Sequence, residues 1–306
     1  MTGTIPARLD RPVLVFGGSG QVGRELVPAL HALGTVIAPT HAEADLARPE
    51  MLRDVIRRLR PSVIINAAAL TNVDHAEREP DLARQLNEVA PGVMADEARH
   101  IDAPLVHYST DYVFDGVRST PYEETDEPNP INAYGASKLA GERRVAAANG
   151  PHLIIRTSWV YSRTGAGFVA TILRQLSSAA ELRVVADQTG SPTWSRSLAA
   201  ATTATLRALV RGDTLHLPEE SRGIYHLGGA GVASRVDIAN ELIAAVAESS
   251  PGIRLPVVVP IAAADFVAAA PRPRYSALAN GRAERQFGVR LEPWRSELRR
   301  MIAAGR

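Results

Sequence analysis

Short apolar runs alternate with stretches of helical periodicity through the first half of the chain. "PVLVFG" (12–17) is apolar up to its glycine and reads as a buried strand; "GGSGQVGRELVPALHALG" follows with helical spacing, interrupted by Pro28. "TVIAP", "SVIINAAA", "PLVHYST" and "HLIIRTSWVY" read as further strands, each followed or preceded by a helical segment: "PEMLRDVIRRLR", "DLARQLNEVAPGVMADEARH" with a break or kink expected at Pro91, and "NAYGASKLAGERRVAAA". Strands that are apolar throughout, alternating with helices, predict an α/β fold: a doubly wound parallel sheet of the Rossmann type, covered on both faces. Asn132 stands where a helix cap belongs.

After Tyr161 the rhythm loosens. Helices are expected over 168–176 and 197–209, with short strands at "LRVVA" and "GIYHLG". "SRVDIANELIAAVAE" opens with Ser234 and Asp237 at the spacing of a capping box. The stretch 251–273, rich in proline and alanine, gives no assignable pattern. The division expected is a dinucleotide-binding domain over 11–160, with 194–212 and 223–248 returning to it. A smaller C-terminal substrate lobe takes 161–193 and 249–306.

Composition narrows the function classes. A formal charge of +1, from 34 basic and 33 acidic residues, provides no global field for nucleic acid or an anionic membrane. The basic run "RDVIRRLRP" has its apolar residues at helical spacing and reads as a solvated helix face. With no cysteine there is no disulfide, no thiolate catalysis and no Cys-bound zinc. The histidines are scattered without an HExxH-type pair, so no metal site is expected. The N-terminal "MTGTIPARLDRP" lacks the apolar core of a signal peptide, which predicts a cytoplasmic protein.

Gly17, Gly20 and Gly23 lie between the first strand and first helix, with Gln21 and Val22 among them. Glycines there permit a tight turn and close backbone approach to a pyrophosphate, which the free N–H groups of the helix start would bind. The strand–glycines–helix context makes dinucleotide binding the reading, against a tight turn without ligand. Asp45-Leu46 follows the second strand, where a carboxylate could accept from an adenine amino group or cap a helix. Small residues at 66–69, running on into Leu70 and Thr71, would let a cofactor lie against the backbone. No acid stands at the immediate end of the second strand, where Thr40 and His41 are found. A carboxylate there would repel a 2′-phosphate, so NADPH is expected, with NADH also accepted.

"AYGASK" places Tyr134 and Lys138 four residues apart, on one face of a starting helix. Alone, that pair is most simply packing, a lysine over a ring. In order with the glycines, "NAAALTNVD" and "STDYVFDG" (109–116), it resembles the extended short-chain dehydrogenase/reductase family. The octapeptide, "RTSWVY", "DQTGSPT" and "RPRYSAL" are similar to the dTDP-4-dehydrorhamnose reductase branch of that family, over nearly the whole chain. Thr110-Asp111 is followed by Tyr112, so the acidic pair of the related dehydratases is missing.

The resemblance implies NADPH-dependent reduction of the C4 ketone of a dTDP-deoxysugar, feeding polysaccharide synthesis. Tyr134 would be the proton donor, and Lys138 would lower the phenol's pKa and bind the nicotinamide ribose. A ~3-unit shift from the free phenol's ~10 is worth about 4 kcal/mol. Thr110 would donate to the carbonyl oxygen. Thr110, Asp111 and Trp159 would touch the sugar, Gln188, Arg272 and Tyr275 the diphosphate or base, and Tyr108 the cofactor. His107 and Ser109 read as strand packing. The chain departs from the family at Ser234-Arg235-Val236, where Ser-Trp-Tyr is common, and at Trp194-Ser195-Arg196, where a metal-bridging glutamate would stand. A homodimer is left open. The rival readings are another sugar-nucleotide reductase or epimerase, and a non-catalytic NADP(H)-binding subunit like the regulatory β subunit of methionine adenosyltransferase.

Overall fold

The computed structural model describes residues 8–250 and 252–304. Its centre is a six-stranded sheet in which every pairing is parallel. The first five strands are β1 (Val13–Phe16), β2 (Val36–Ile37), β3 (Val63–Asn66), β4 (Leu105–Thr110) and β5 (His152–Thr157); the sixth is Gly223–His226. Across the sheet the order is sixth, β5, β4, β3, β1, β2, so the direction of winding reverses between β1 and β3. β2 is shorter than "TVIAP" suggested. It is the edge strand, and Pro39 beyond it has no N–H to continue a ladder.

Alternate residues along the strands feed two cores. Val13, Val15, Ile65 and Val106 pack with Leu26 and Leu30 of α1 (Gly23–Leu30) and Leu198 and Leu206 of α8 (Ser195–Leu209). Leu14, Ile64, Leu105 and Ile154 face Leu52 and Ile56 of α2 (Pro49–Leu59), Met94 of α5 (Ala90–His100) and Val145 of α6 (Ala133–Ala147). Helix α1 runs on through Pro28.

The helical stretch around Pro91 is resolved into three pieces: α4 (Pro80–Arg84), a π-helical turn at Gln85–Val89, and α5. Pro91 has no N–H to give the Asn87 carbonyl, so the turn widens there. That carbonyl faces Gly141 of α6, where a Cβ would come within 2.1 Å of its oxygen. The start of α6 is fixed as the sequence suggested: Asn132 Oδ1 accepts from the Gly135 N–H at 2.8 Å. A Cβ on Gly135 would lie 2.1 Å from the Tyr112 carbonyl, so α6 begins hard against the end of β4.

A third core joins α7 (Phe168–Gln175), α9 (Arg235–Ser249) and the helix Trp294–Ala303 around a parallel pair, Glu181–Val185 with Val257–Ile261. The Val257–Ile261 strand lies in the stretch that carried no pattern. The expected Ser234/Asp237 capping box opens α9. That helix was expected with the sheet but packs here, because Ile238, Ala239 and Leu242 meet Leu182, Val184 and Leu298. No helix among the described residues is long and apolar enough to cross a membrane.

An alanine in a helix interior is normally worth about 1 kcal/mol over glycine. At Gly141 the sign should reverse, because the new methyl would meet backbone rather than a movable side chain. Gly141→Ala is expected to lose about 2 kcal/mol, read as a lower melting temperature and urea midpoint. A melting temperature at or above that of the unchanged protein would contradict the packing of α6 on the π turn.

Candidate active site

The glycine loop sits at the reversal point of the sheet. Gly17 has φ +80°, and a Cβ there would lie 2.6 Å from Ala68 N and 2.7 Å from the Ala67 carbonyl carbon. A Cβ on Gly23 would lie 2.1 Å from the Gly17 oxygen. Gly20 donates its N–H to that oxygen at 3.0 Å and faces outward. Side chains are thus excluded from the one place where backbone from β1, β3 and α1 converges. The residues present fit a dinucleotide pyrophosphate. Val22 packs underneath, while Gln21 reaches across to the Ala166 carbonyl at 2.9 Å and accepts from Ser162 at 3.2 Å.

Thr40 directs both its N–H and its hydroxyl to Glu43 Oε2, each at 2.8 Å. Asp45 accepts from Ala47 N at 2.9 Å and so caps a turn, and Leu46 is half-buried beside it. The 69–71 loop (Ala69, Leu70, Thr71) is held at its centre. Asn87 accepts from Leu70 N at 2.9 Å and donates to Leu70 O at 3.1 Å and to Ser137 at 3.0 Å. Asn87 was not anticipated. Pro91, which opens the turn around it, was the available signal.

At the carboxyl end of β4 a line of hydrogen bonds forms. Tyr134 lies beside Thr110, whose hydroxyl donates to Asp111 Oδ1 at 3.0 Å and accepts from Tyr112 N at 3.2 Å. The rings of Tyr112 and Tyr134 meet edge to face at 5.9 Å. Asp111 is buried without a cation among the described residues and accepts from Ser158 at 2.9 Å and Ser276 at 2.5 Å. Burial pushes its carboxyl up to about 6 despite the hydroxyls that favour the anion. Ser158 and Ser276 were not read from the sequence. They come from other parts of the chain, and serines carry no periodic signal.

Lys138 differs from expectation. Its Nζ is buried, donates to the Tyr108 carbonyl at 2.6 Å and lies 3.3 Å from His107 Nε2. Burial lowers it to about 8. The Tyr134 phenol is shifted up, not down: burial dominates, with only the Thr110 hydroxyl opposing it. His107 is more than packing. Its Nδ1 lies 3.1 Å from Asn66 Nδ2, Asn66 Oδ1 accepts from Ala68 N at 3.1 Å, and burial with the lysine charge holds the ring neutral. The Tyr108 phenol bonds Thr202 of α8 at 2.6 Å in the opposite core, and its carbonyl faces Lys138.

On the substrate side, Trp159 adopts φ +44°, and its ring lies where a Cβ on Gly190 would come within 2.6 Å. The Arg235 guanidinium stacks on the other part of this assembly, 4.4 Å from the Trp159 ring centroid, and donates to Gln188 Oε1 at 3.2 Å. Arg272 is not free. It pairs with both carboxylate oxygens of Asp74, each at 2.8 Å, on α3 (Val73–Arg78). Arg272 is the largest influence holding the Asp74 carboxyl down at about 2. Tyr275 bridges to Thr189 through backbone. Among the described residues no group of three or more histidines and acids could hold a metal ion.

The family model described as the RmlD substrate binding domain matches residues 11–306. The dTDP-4-dehydrorhamnose reductase of Burkholderia thailandensis is 42% identical over 286 residues, 92% of this chain and 95% of that protein. The Salmonella typhimurium protein of the same name is 37% identical over 95% of this chain and 96% of its own. Among solved structures, the dTDP-4-dehydrorhamnose reductase of Bacillus anthracis in complex with NADP superposes with a TM-score of 0.87. It is 32% identical and covers 97% of this chain and 100% of that one.

The Asp111 shift has a consequence for stability. The folded protein holds this proton more tightly than the unfolded chain, so its contribution is complete below pH ~4 and is lost as pH rises through about 6. The loss amounts to about 3 kcal/mol. Asp111→Asn removes the ionisation and should flatten this part of the stability profile, melting at or above the unchanged protein at pH 8. Parallel profiles for the two proteins between pH 4 and 7 would show that the buried carboxylate ionises without penalty.

Proposed function

The chain belongs to the dTDP-4-dehydrorhamnose reductase family, and we propose that its site works through the Tyr134–Thr110–Asp111 line beside the glycine loop. The protein is an NADPH-dependent reductase of dTDP-rhamnose biosynthesis, converting dTDP-4-dehydro-β-L-rhamnose to dTDP-L-rhamnose. NADPH supplies the hydride that goes to C4. Gly17, Gly20 and Gly23 with the start of α1 hold the pyrophosphate, Thr40, Asp45 and Leu46 the adenosine end, and 69–71 the face of the cofactor. Tyr134 gives its proton to the C4 oxygen, and Thr110 hydrogen-bonds the same oxygen. The observation that carries this is the placement of Tyr134 beside the Thr110–Asp111 hydrogen bond, at the carboxyl ends of the strands where open α/β sheets bind ligands.

A buried phenol releases its proton reluctantly, so the charge of Lys138 is needed nearby. Lys138 is one helical turn from Tyr134 on α6, and its Nζ must turn from the Tyr108 carbonyl to act on the phenol and the cofactor ribose. Trp159, Asp111 and Gln188 flank the sugar nucleotide, and Arg272 joins them on leaving Asp74. The 11–160 region with the sixth strand and α8 forms the cofactor half. A cytoplasmic homodimer is the form proposed.

Tyr134→Phe removes one oxygen and keeps the ring. Turnover should fall by ~10²–10⁴ while NADPH affinity, read by fluorescence titration, stays near that of the unchanged protein. Thr110→Val should lose less. Undiminished turnover in Tyr134→Phe would refute the assignment, and tight NADPH binding without any turnover of the keto-sugar would favour a regulatory protein. In paired kinetics NADPH should be used at least as well as NADH, since the Glu43 carboxylate is occupied by Thr40. A strong preference for NADH would overturn that.

A further inference from the structure

We propose that Arg235 clamps the diphosphate of the sugar nucleotide, an assignment that rests on the reductase reading above. Its guanidinium lies 4.4 Å from the Trp159 ring centroid and 5.2 Å from that of Phe168, donates Nε to Gln188 at 3.2 Å, and is close enough for its charge to act on the Tyr112 phenol. Tyr112 in turn meets Tyr134 edge to face at 5.9 Å, so Arg235 stands one ring's width from the proton donor. That is where the far side of a pyranose whose C4 faces Tyr134 would carry its phosphates.

The charge is what lacks an explanation inside the protein. Arg235 has no carboxylate partner among the described residues, whereas Arg272, also close to Tyr112, is doubly paired with Asp74. A half-buried guanidinium without an anion is disfavoured. Nor does it serve its own helix. Arg235 is the first residue of α9, where a cation opposes the helix dipole, and Ser234 and Asp237 already form the cap. A phosphate arriving here would meet a planar fork of donors whose orientation is set by the ring it lies on, and the positive end of α9 behind it.

The test compares Arg235→Gln with the unchanged protein, titrating dTDP and thymidine (with UDP alongside) in saturating NADP⁺. Arg235→Gln should weaken dTDP by about 30-fold and leave the weak thymidine affinity unchanged. The KM of the keto-sugar should rise in parallel with kcat held within about threefold, and Arg235→Lys should recover part of the loss. Equal weakening of dTDP and thymidine together with a lowered melting temperature would mean that Arg235 only packs Trp159 against Phe168, and would overturn the proposal. A dTDP affinity changed less than about threefold would overturn it as well. Arg235-dependent preference for dTDP over thymidine in a protein that never turns over the keto-sugar would uphold the clamp while removing the reductase reading.

Discussion

A carboxylate with no cation beside it among the described residues, buried at the end of β4, governs how the two halves of this molecule meet. Asp111 is reached by hydroxyls from Thr110, from Ser158 just past β5, and from Ser276 in the C-terminal segment. The network extends further: Ser158 accepts from Ser191 N at 3.2 Å, and Ser191 accepts from Leu278 N at 3.2 Å. Burying this acid is costly, and the hydroxyls offset only part of the penalty, since its proton affinity remains raised. What the arrangement secures is position. Trp159 follows Ser158 directly, Gln188 lies three residues before Ser191, and Tyr112 leads away from Asp111, so the walls of the pocket share one anchor.

Helix α6 is locked to the same place from its outer end. Besides the Asn132 cap, Asn132 Nδ2 donates to the Pro271 carbonyl at 2.9 Å, and Glu77 accepts from Ala133 N at 2.9 Å. Gly135 then lets the helix press on Tyr112. The two titratable groups on this first stretch of α6 are shifted in opposite directions by the same burial, Lys138 down and Tyr134 up. Both shifts favour the uncharged form, but a lysine lowered only to about 8 keeps its charge near neutrality while the phenol keeps its proton.

What the sequence made legible was local. The glycine loop, the Asn132 cap and the Ser234/Asp237 box each depend on residues within a few positions of one another. The strands β1, β3, β4 and β5 are apolar enough to stand out. The Val257–Ile261 strand was illegible because it lies on a lone two-stranded pair, half exposed along its length, and so carries no alternation. The Arg272–Asp74 pair spans 198 positions and no local rule reaches that far. The direction of the Tyr108 side chain, by contrast, was legible. Side chains alternate along a strand, so Tyr108 must face the layer that Val106 faces, that of α8, while His107 faces α6 and its lysine.

The contrast between Arg235 and Arg272 also bears on the order in which an anion is captured. Asp74 holds Arg272 through two oxygens and also accepts from the N–H groups of Ala269 and Ala270, at 2.9 and 3.0 Å. Freeing Arg272 therefore breaks a paired charge and unseats the loop that carries the exposed Phe266 and Val267. Arg235 has no such competitor, and its plane is already fixed by Trp159. An incoming diphosphate would meet the unpaired guanidinium at no cost to an existing ion pair.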